Sequence, residues 1–286
     1  MKIIRSLTLL CISLGASIIF LCSLSCQGKI EPTYKEKDIP SIVKKICKDE
    51  YGLDVTTQRT HNTLWIYAAV EKILHKDYGV KKDKIFDEEL VDKLRNILNT
   101  VGRVLISSDN TPDFFALVAS DVKIGLDYTI IGNVLDIKKS YAGFIPWTEA
   151  NRRYVLKFQI APSAIGDYEG WHLKAYDIKL PDFLAEQIAQ RIGLSLQEEN
   201  LKNYFQVEKS EGKFSDGIFT FEYAIKQIAQ SEKEKEIDIE KTALNTIAYC
   251  LKTYEFKDFS GVTVKNLISG NTLELNQAAI LTKPTD

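Results

Sequence analysis

The sequence predicts an α+β fold made of two α-β-β-α-β units in tandem, joined by a central helix and extra strands. Three observations lead there. Residues 39–51 and 182–196 each carry an apolar stripe at helical spacing, and each is followed by a pair of segments with strand alternation. A second amphipathic helix then follows in each half, over 87–106 and 239–255, and each leads into an apolar strand. The first opening helix has Pro40 in its first turn and the second starts behind Pro181, with starts 142 residues apart (40 to 182).

The elements follow in order. Ile39, Ile42, Val43, Ile46 and Cys47 form the first stripe, with Pro40 in the first turn and Gly52 after the end. "LDVTTQR" and "TLWIYAAV" make a hairpin about a turn at His61-Asn62. The next helix runs from Asp87 to Ile106 on Leu90, Leu94, Ile97, Leu98, Val101 and Leu105; Asp87, Glu88 and Glu89 suit the positive end of its dipole. "FFALVA" reads as a strand buried on both faces. The central region has a helix over 125–141, with Leu126, Ile130, Val134, Ile137 and Tyr141 on one side, and then the strands "YVLKFQI" and "WHLKAYDI". In the second half, Leu184, Ile188 and Ile192 mark the helix over 182–196, capped by Asp182. "NYFQVEK" and "GIFTFEYAI" form a hairpin, the helix over 239–255 follows, and "SGVTVKNL" and "NTLELN" are strands about the turn at Ser269-Gly270-Asn271. The expected divisions are a signal peptide over 1–25, a tether over 26–38, a first unit with the central helix over 39–150, and a second unit over 151–286.

The N-terminus bears on location. Lys2 and Arg5 precede an uncharged apolar run, Ser6 to Ser25, and polar sequence begins abruptly at Gln27. Ser25-Cys26, preceded by Leu24, resembles the lipobox of bacterial lipoprotein precursors; Ser23 departs from the leucine usual three residues before the cysteine. The resemblance covers residues 1–26. It implies cleavage before Cys26, acylation of Cys26 and anchoring in a membrane, with Gln27 after the cysteine pointing to an outer membrane or cell surface. An uncleaved span or plain secretion are the alternatives. Residues 27–38, polar with one proline, reach roughly 40 Å when extended.

Composition limits the partners. Removing residues 1–25 takes away two bases and no acid, so 35 basic residues face 39 acidic ones. That mild acidity gives nucleic acid no basic patch and anionic lipid no polybasic segment. A hydrophobic fraction of 45% and a charged fraction of 27% are ordinary globular values. After Cys26 only Cys47 and Cys250 remain, both on apolar helix stripes, where free cysteine packs as a small hydrophobe. Without paired Cys-x-x-Cys or His-x-x-x-His spacing, no metal or other cofactor is indicated.

Catalytic templates are missing. There is no Gly-x-Ser-x-Gly, no His-Glu-x-x-His and no phosphate-binding glycine loop. His61 and His75 read as surface residues. His172, near Tyr168, Glu169 and Asp177, is the one histidine placed to form an acid–base pair with a carboxylate. Asp109, Asp113 and Asp121 read as turn and cap residues around "FFALVA".

Aromatic residues supply the candidate interaction surface. On "TLWIYAAV", Leu64, Ile66, Ala68 and Val70 take one face and Trp65 and Tyr67 the other. That second face is open to a partner, or it is a second core covered by the central region. "GFIPWTEANRRY" adds Phe144, Trp147, Arg152 and Arg153, a set suited to an interface or to a staple between the units. The chain thus reads as a lipid-anchored cell-envelope protein with a binding or scaffolding role for other envelope proteins and no evident catalysis. A ligand-binding lipoprotein with a cleft between the units, or an enzyme with dispersed catalytic residues, are the other readings.

Overall fold

The computed structural model describes residues 31–79, 85–195, 197, 204–229 and 238–283. The first unit runs α1 (Ile39–Tyr51), β1 (Thr56–Thr60), β2 (Thr63–Val70), α2 (Glu88–Ile106), β3 (Phe114–Asp121), β4 (Leu126–Asn133) and α3 (Val134–Tyr141), followed by α4 (Trp147–Arg152) and β5 (Val155–Ile160). The second runs α5 (Leu180–Ser195), β6 (Phe205–Ser215), β7 (Ile218–Gln227), α6 (Ile239–Thr253), β8 (Gly261–Asn266), β9 (Thr272–Asn276) and α7 (Gln277–Leu281). The fold is α+β, and the tandem repeat is present in its topology.

One sheet has the order β1-β2-β3-β4-β5 and the other β6-β7-β8-β9. In each, the strands either side of the long helix, β2 with β3 and β7 with β8, pair in parallel, and all other neighbours are antiparallel. Both hairpins close over two residues, pairing Thr60 with Thr63 and Ser215 with Ile218. In both, the first turn residue has positive φ: 50° at His61 and 53° at Asp216. Thr63 and Ile218 are therefore equivalent, and Trp65 corresponds to Thr220 and Tyr67 to Glu222.

Four expectations are corrected. The helix over 125–141 is half strand: residues 126–133 pair with β3, and a helix begins only where Asn133 caps it, its side chain accepting from the Leu135 N–H at 2.8 Å. Leu126, Ile130 and Val134 sit four apart, which fits either period, and the free edge of β3 decides between them. Each unit thus gains a second strand and a short helix after the α-β-β-α-β order. Strand β5, beyond the sequence boundary at 151, closes the first sheet. "WHLKAYDI" forms no strand. The outer edge of β5 is engaged at Leu156, whose N–H and C=O meet the Gln190 carboxamide at 3.1 and 2.6 Å. Residues 167–178 instead run as a strap over Trp65 and Tyr67. The tether is also shorter than expected, because Tyr34 already bridges Ser108 and residues 36–38 form a 3-10 turn.

The layers stack α–β–α–β. Leu64, Ile66, Phe115 and Leu117 of the first sheet face α1, α2 and α3 in one core. Its other face, with Phe114, Ala116 and Val118, joins α5 and α6 and the inner face of the second sheet in a continuous core. Phe114 and Phe183 meet at 5.1 Å across this boundary. Helix α5 lies so close on β6 that a Cβ at Gly212 would fall 2.1 Å from the Ala185 carbonyl oxygen. Cys47 and Cys250 are free and buried in different cores.

Candidate functional site

An apolar cavity opens in the first unit, between α2, α3, α4 and the end of the sheet. The stripe that seats α2 on the sheet leaves its flanking face, Val91, Arg95, Leu98 and Asn99, along one wall. The Asp87 side chain caps this helix by accepting from the Glu89 N–H at 3.1 Å. Tyr128 of β4 and Tyr154 form the floor. Ile137 and Tyr141 come from α3, and Trp147 and Asn151 from α4, which begins behind Pro146. Phe86 closes the remaining side. The cavity measures about 430 Å³, within the range of small-molecule sites.

Its walls are paired aromatic rings. Tyr141 and Trp147 meet edge to face at 5.0 Å, and Phe86 packs on Tyr128 at 4.9 Å. Tyr128 and Phe86 also contact Phe158, at 4.8 and 5.7 Å. The apolar lining therefore continues onto the exposed side chains Leu156, Phe158 and Ile160, which share one face of β5. Burial pushes the Tyr128 and Tyr154 phenols up to about 12 and raises Tyr141 as well, so all three keep their protons at neutral pH. Among the described residues, none of these hydroxyls, nor the Trp147 indole N–H, has an acceptor.

Of the sequence candidates, only Trp147 lines this cavity. Trp65 and Tyr67 are 9% and 4% exposed, which removes them from any open surface. The Trp65 indole donates to the Tyr176 carbonyl at 2.8 Å, and the Tyr67 hydroxyl donates to the Asp167 carbonyl. An apolar face on a central strand needs a cover, and the strap, part of the central region, supplies it, so this face is a second core. Phe144, at 80% exposure, lies outside the cavity. Arg152 is exposed. Arg153 is buried, donating to Asp136 at 2.7 Å and Glu149 at 2.9 Å. Glu149 also accepts from Arg191 at 3.0 Å and Tyr249 at 3.2 Å, and Asp136 from the Tyr254 hydroxyl. This network joins α3 and α4 to α5 and α6, so Arg153 is a staple between the units and no surface anchor. A groove beside it, lined by Asp113, Asp136, Lys138, Tyr254 and Glu255, runs between the units. Cys26 lies outside the described residues.

His172 holds the strap. Its Nδ1 is 2.7 Å from Asp167 and its Nε2 3.1 Å from Asp127, whose other oxygen accepts from Ser120. These partners differ from the Glu169 and Asp177 suggested by sequence proximity. Burial works to raise the Asp167 carboxyl, but hydrogen bonds from the His172 backbone and ring and from the Trp171 and Glu169 N–H groups outweigh it and hold the pKa at about 2. The Ser120 hydroxyl donates to a carboxylate and not to the imidazole, so the order is that of a clasp and not of a nucleophile with its base. His61 stands exposed in its turn, whereas His75 is largely buried, its Nδ1 accepting from the Asp77 N–H at 3.1 Å. Asp109 and Asp121 are turn residues: Asp109 accepts from the Glu36 N–H at 2.8 Å and Asp121 from the Lys123 N–H at 3.0 Å. No group of side chains suited to a metal ion occurs among the described residues.

Comparison with protein-family models, characterised proteins and solved structures gives no match to this chain.

Proposed function

We propose that this chain is a lipid-anchored cell-envelope protein whose first unit binds an apolar ligand. The observation that carries the reading is the aromatic cavity, with donor groups that lack acceptors among the described residues. The groove between the units is a weaker candidate, because Asp136 and Tyr254 there already bond each other and Arg153 bonds Asp136. Residues 1–26 support the anchor: a charged start, an uncharged run and Ser25-Cys26. No described helix is long and apolar enough to cross a membrane. Other envelope proteins remain partners for the exposed face that carries Phe144, at an outer membrane or cell surface.

The test uses the neutral fluorescent probe N-phenyl-1-naphthylamine. The purified protein should enhance its emission at one saturable site, and Leu98→Trp, which fills the cavity, should abolish the enhancement while leaving the fold's circular dichroism unchanged. Equal enhancement in both proteins would refute the cavity as the site. In cells, Cys26→Ala should release the protein from membranes, and mass spectrometry of the mature N-terminus should find an acylated Cys26.

A further inference from the structure

We infer that the ligand of this cavity is a single-chain amphiphile with an anionic, carboxylate head: a long-chain fatty acid. The inference rests on the cavity being a binding site, as proposed above, and concerns which chemistry fits it.

Two independent features of the cavity select this class. The first is the sign of its polar groups. The lining residues include Tyr128, Tyr141, Tyr154, Trp147 and Arg95, and of these the indole N–H and the guanidinium can only donate. Asn99 and Asn151 add carboxamides that serve either way, and among the described residues no carboxylate lines the space. The phenols are protonated at neutral pH, as ordinary phenols are, and burial raises them further. A cationic head would find aromatic faces but no counter-charge, and Arg95 would repel it. A carboxylate accepts at both oxygens, and hydrogen bonds to it from phenol or guanidinium are charge-assisted. Arg95 is free to swing toward such a head. Its present partner, Asp92, lies one turn away at 2.9 Å with both side chains largely exposed, and an ion pair of that kind holds little energy.

The second feature is the shape of the apolar lining. It does not end at the cavity mouth. Phe158 stacks against Phe86 and contacts Tyr128, and Leu156 and Ile160 flank it on the same face of β5. A compact ligand would use the cavity and leave this stripe bare. An extended alkyl chain covers both.

The experiment titrates the protein, by Trp147 fluorescence, with three probes of equal chain length below their micelle concentrations: myristate, 1-tetradecanol and tetradecyltrimethylammonium. Trp147→Phe identifies the signal's origin. Myristate should bind about tenfold or more tighter than tetradecanol, a difference of about 1.4 kcal/mol, and the ammonium should bind most weakly. Arg95→Met should erase the preference for myristate over tetradecanol. Tetradecanol or the ammonium binding as tightly as myristate would overturn the carboxylate assignment and leave the cavity as an apolar site. Failure of all three probes to bind would instead overturn the binding reading itself.

Discussion

Strands β2 and β7 hold the same position in two units of one topology, yet they bury different amounts of themselves. On β2, Leu64 and Ile66 face the helices and Trp65 and Tyr67 face the strap and the second unit, so nearly the whole strand is buried. On β7, Phe219, Phe221 and Tyr223 face α5 and α6, while Thr220 and Glu222 at the positions of Trp65 and Tyr67 look outward, and Glu222 meets Lys265 at 3.2 Å. The first sheet is a middle layer and the second an outer one. Repeating a topology therefore does not repeat an environment: what a strand presents on its second face depends on what its neighbours leave uncovered. The cavity follows from the same asymmetry. The first unit adds α4 to the helices that both units share, and α3 and α4 stand against α2 with a space between. The second unit ends in the five residues of α7.

The largest effects should come from what joins the units. Arg153→Met leaves Asp136 without its buried cation and should cost about 3 to 5 kcal/mol in denaturant unfolding, with both units melting together. Two separate transitions would show that the shared core does not couple them. Trp65→Ala should cost about 3 to 5 kcal/mol, whereas Thr220→Ala at the equivalent place should change stability by less than about 0.5 kcal/mol. Similar costs at both positions would break the contrast between middle and outer sheets. Leu94→Ala and Ile247→Ala, on the long helices of the first and second units, should each cost about 2 to 5 kcal/mol, since the helix-facing cores are alike.

The strap gives a smaller, pH-dependent effect. Asp167 has a folded pKa of about 2, below its unfolded value, so its contribution to stability is present above about pH 4 and lost as pH falls through about 2. Asp167→Asn should remove that part of the acid dependence and should raise amide exchange over residues 167–178 more than over β7. An unchanged acid-unfolding midpoint in the variant would mean that the clasp does not hold the strap.

Much of this was legible in sequence because periodicity is local. The stripes of α1, α2, α5 and α6, the two-residue turn of the first hairpin and the double-sided strands β2 and β3 all appear as patterns within one element. The ambiguous cases were those with two compatible periods, such as residues 126–134. The cavity was barely legible. Trp147 stands out as an aromatic near arginines, but Tyr141 reads as a core residue of a helix, and Phe86, Tyr128 and Tyr154 carry no signal. The clasp at His172 was half visible: the histidine stood out, while Asp127, 45 residues away, did not.

By itself, then, the sequence determined the tandem α+β order and which faces of the helices are apolar, since backbone periods and side-chain hydrophobicity act over neighbouring residues. It also carried the lipobox-like start, which points to a membrane anchor. Only the tertiary structure decided what covers the second face of β2, that Arg153 is buried between the units, and that five aromatic residues from α2's approach, β4, α3, α4 and the entry to β5 surround one cavity. Those outcomes depend on how layers stack and which strand edges are taken, and such contacts between distant residues leave no mark in the spacing of either partner.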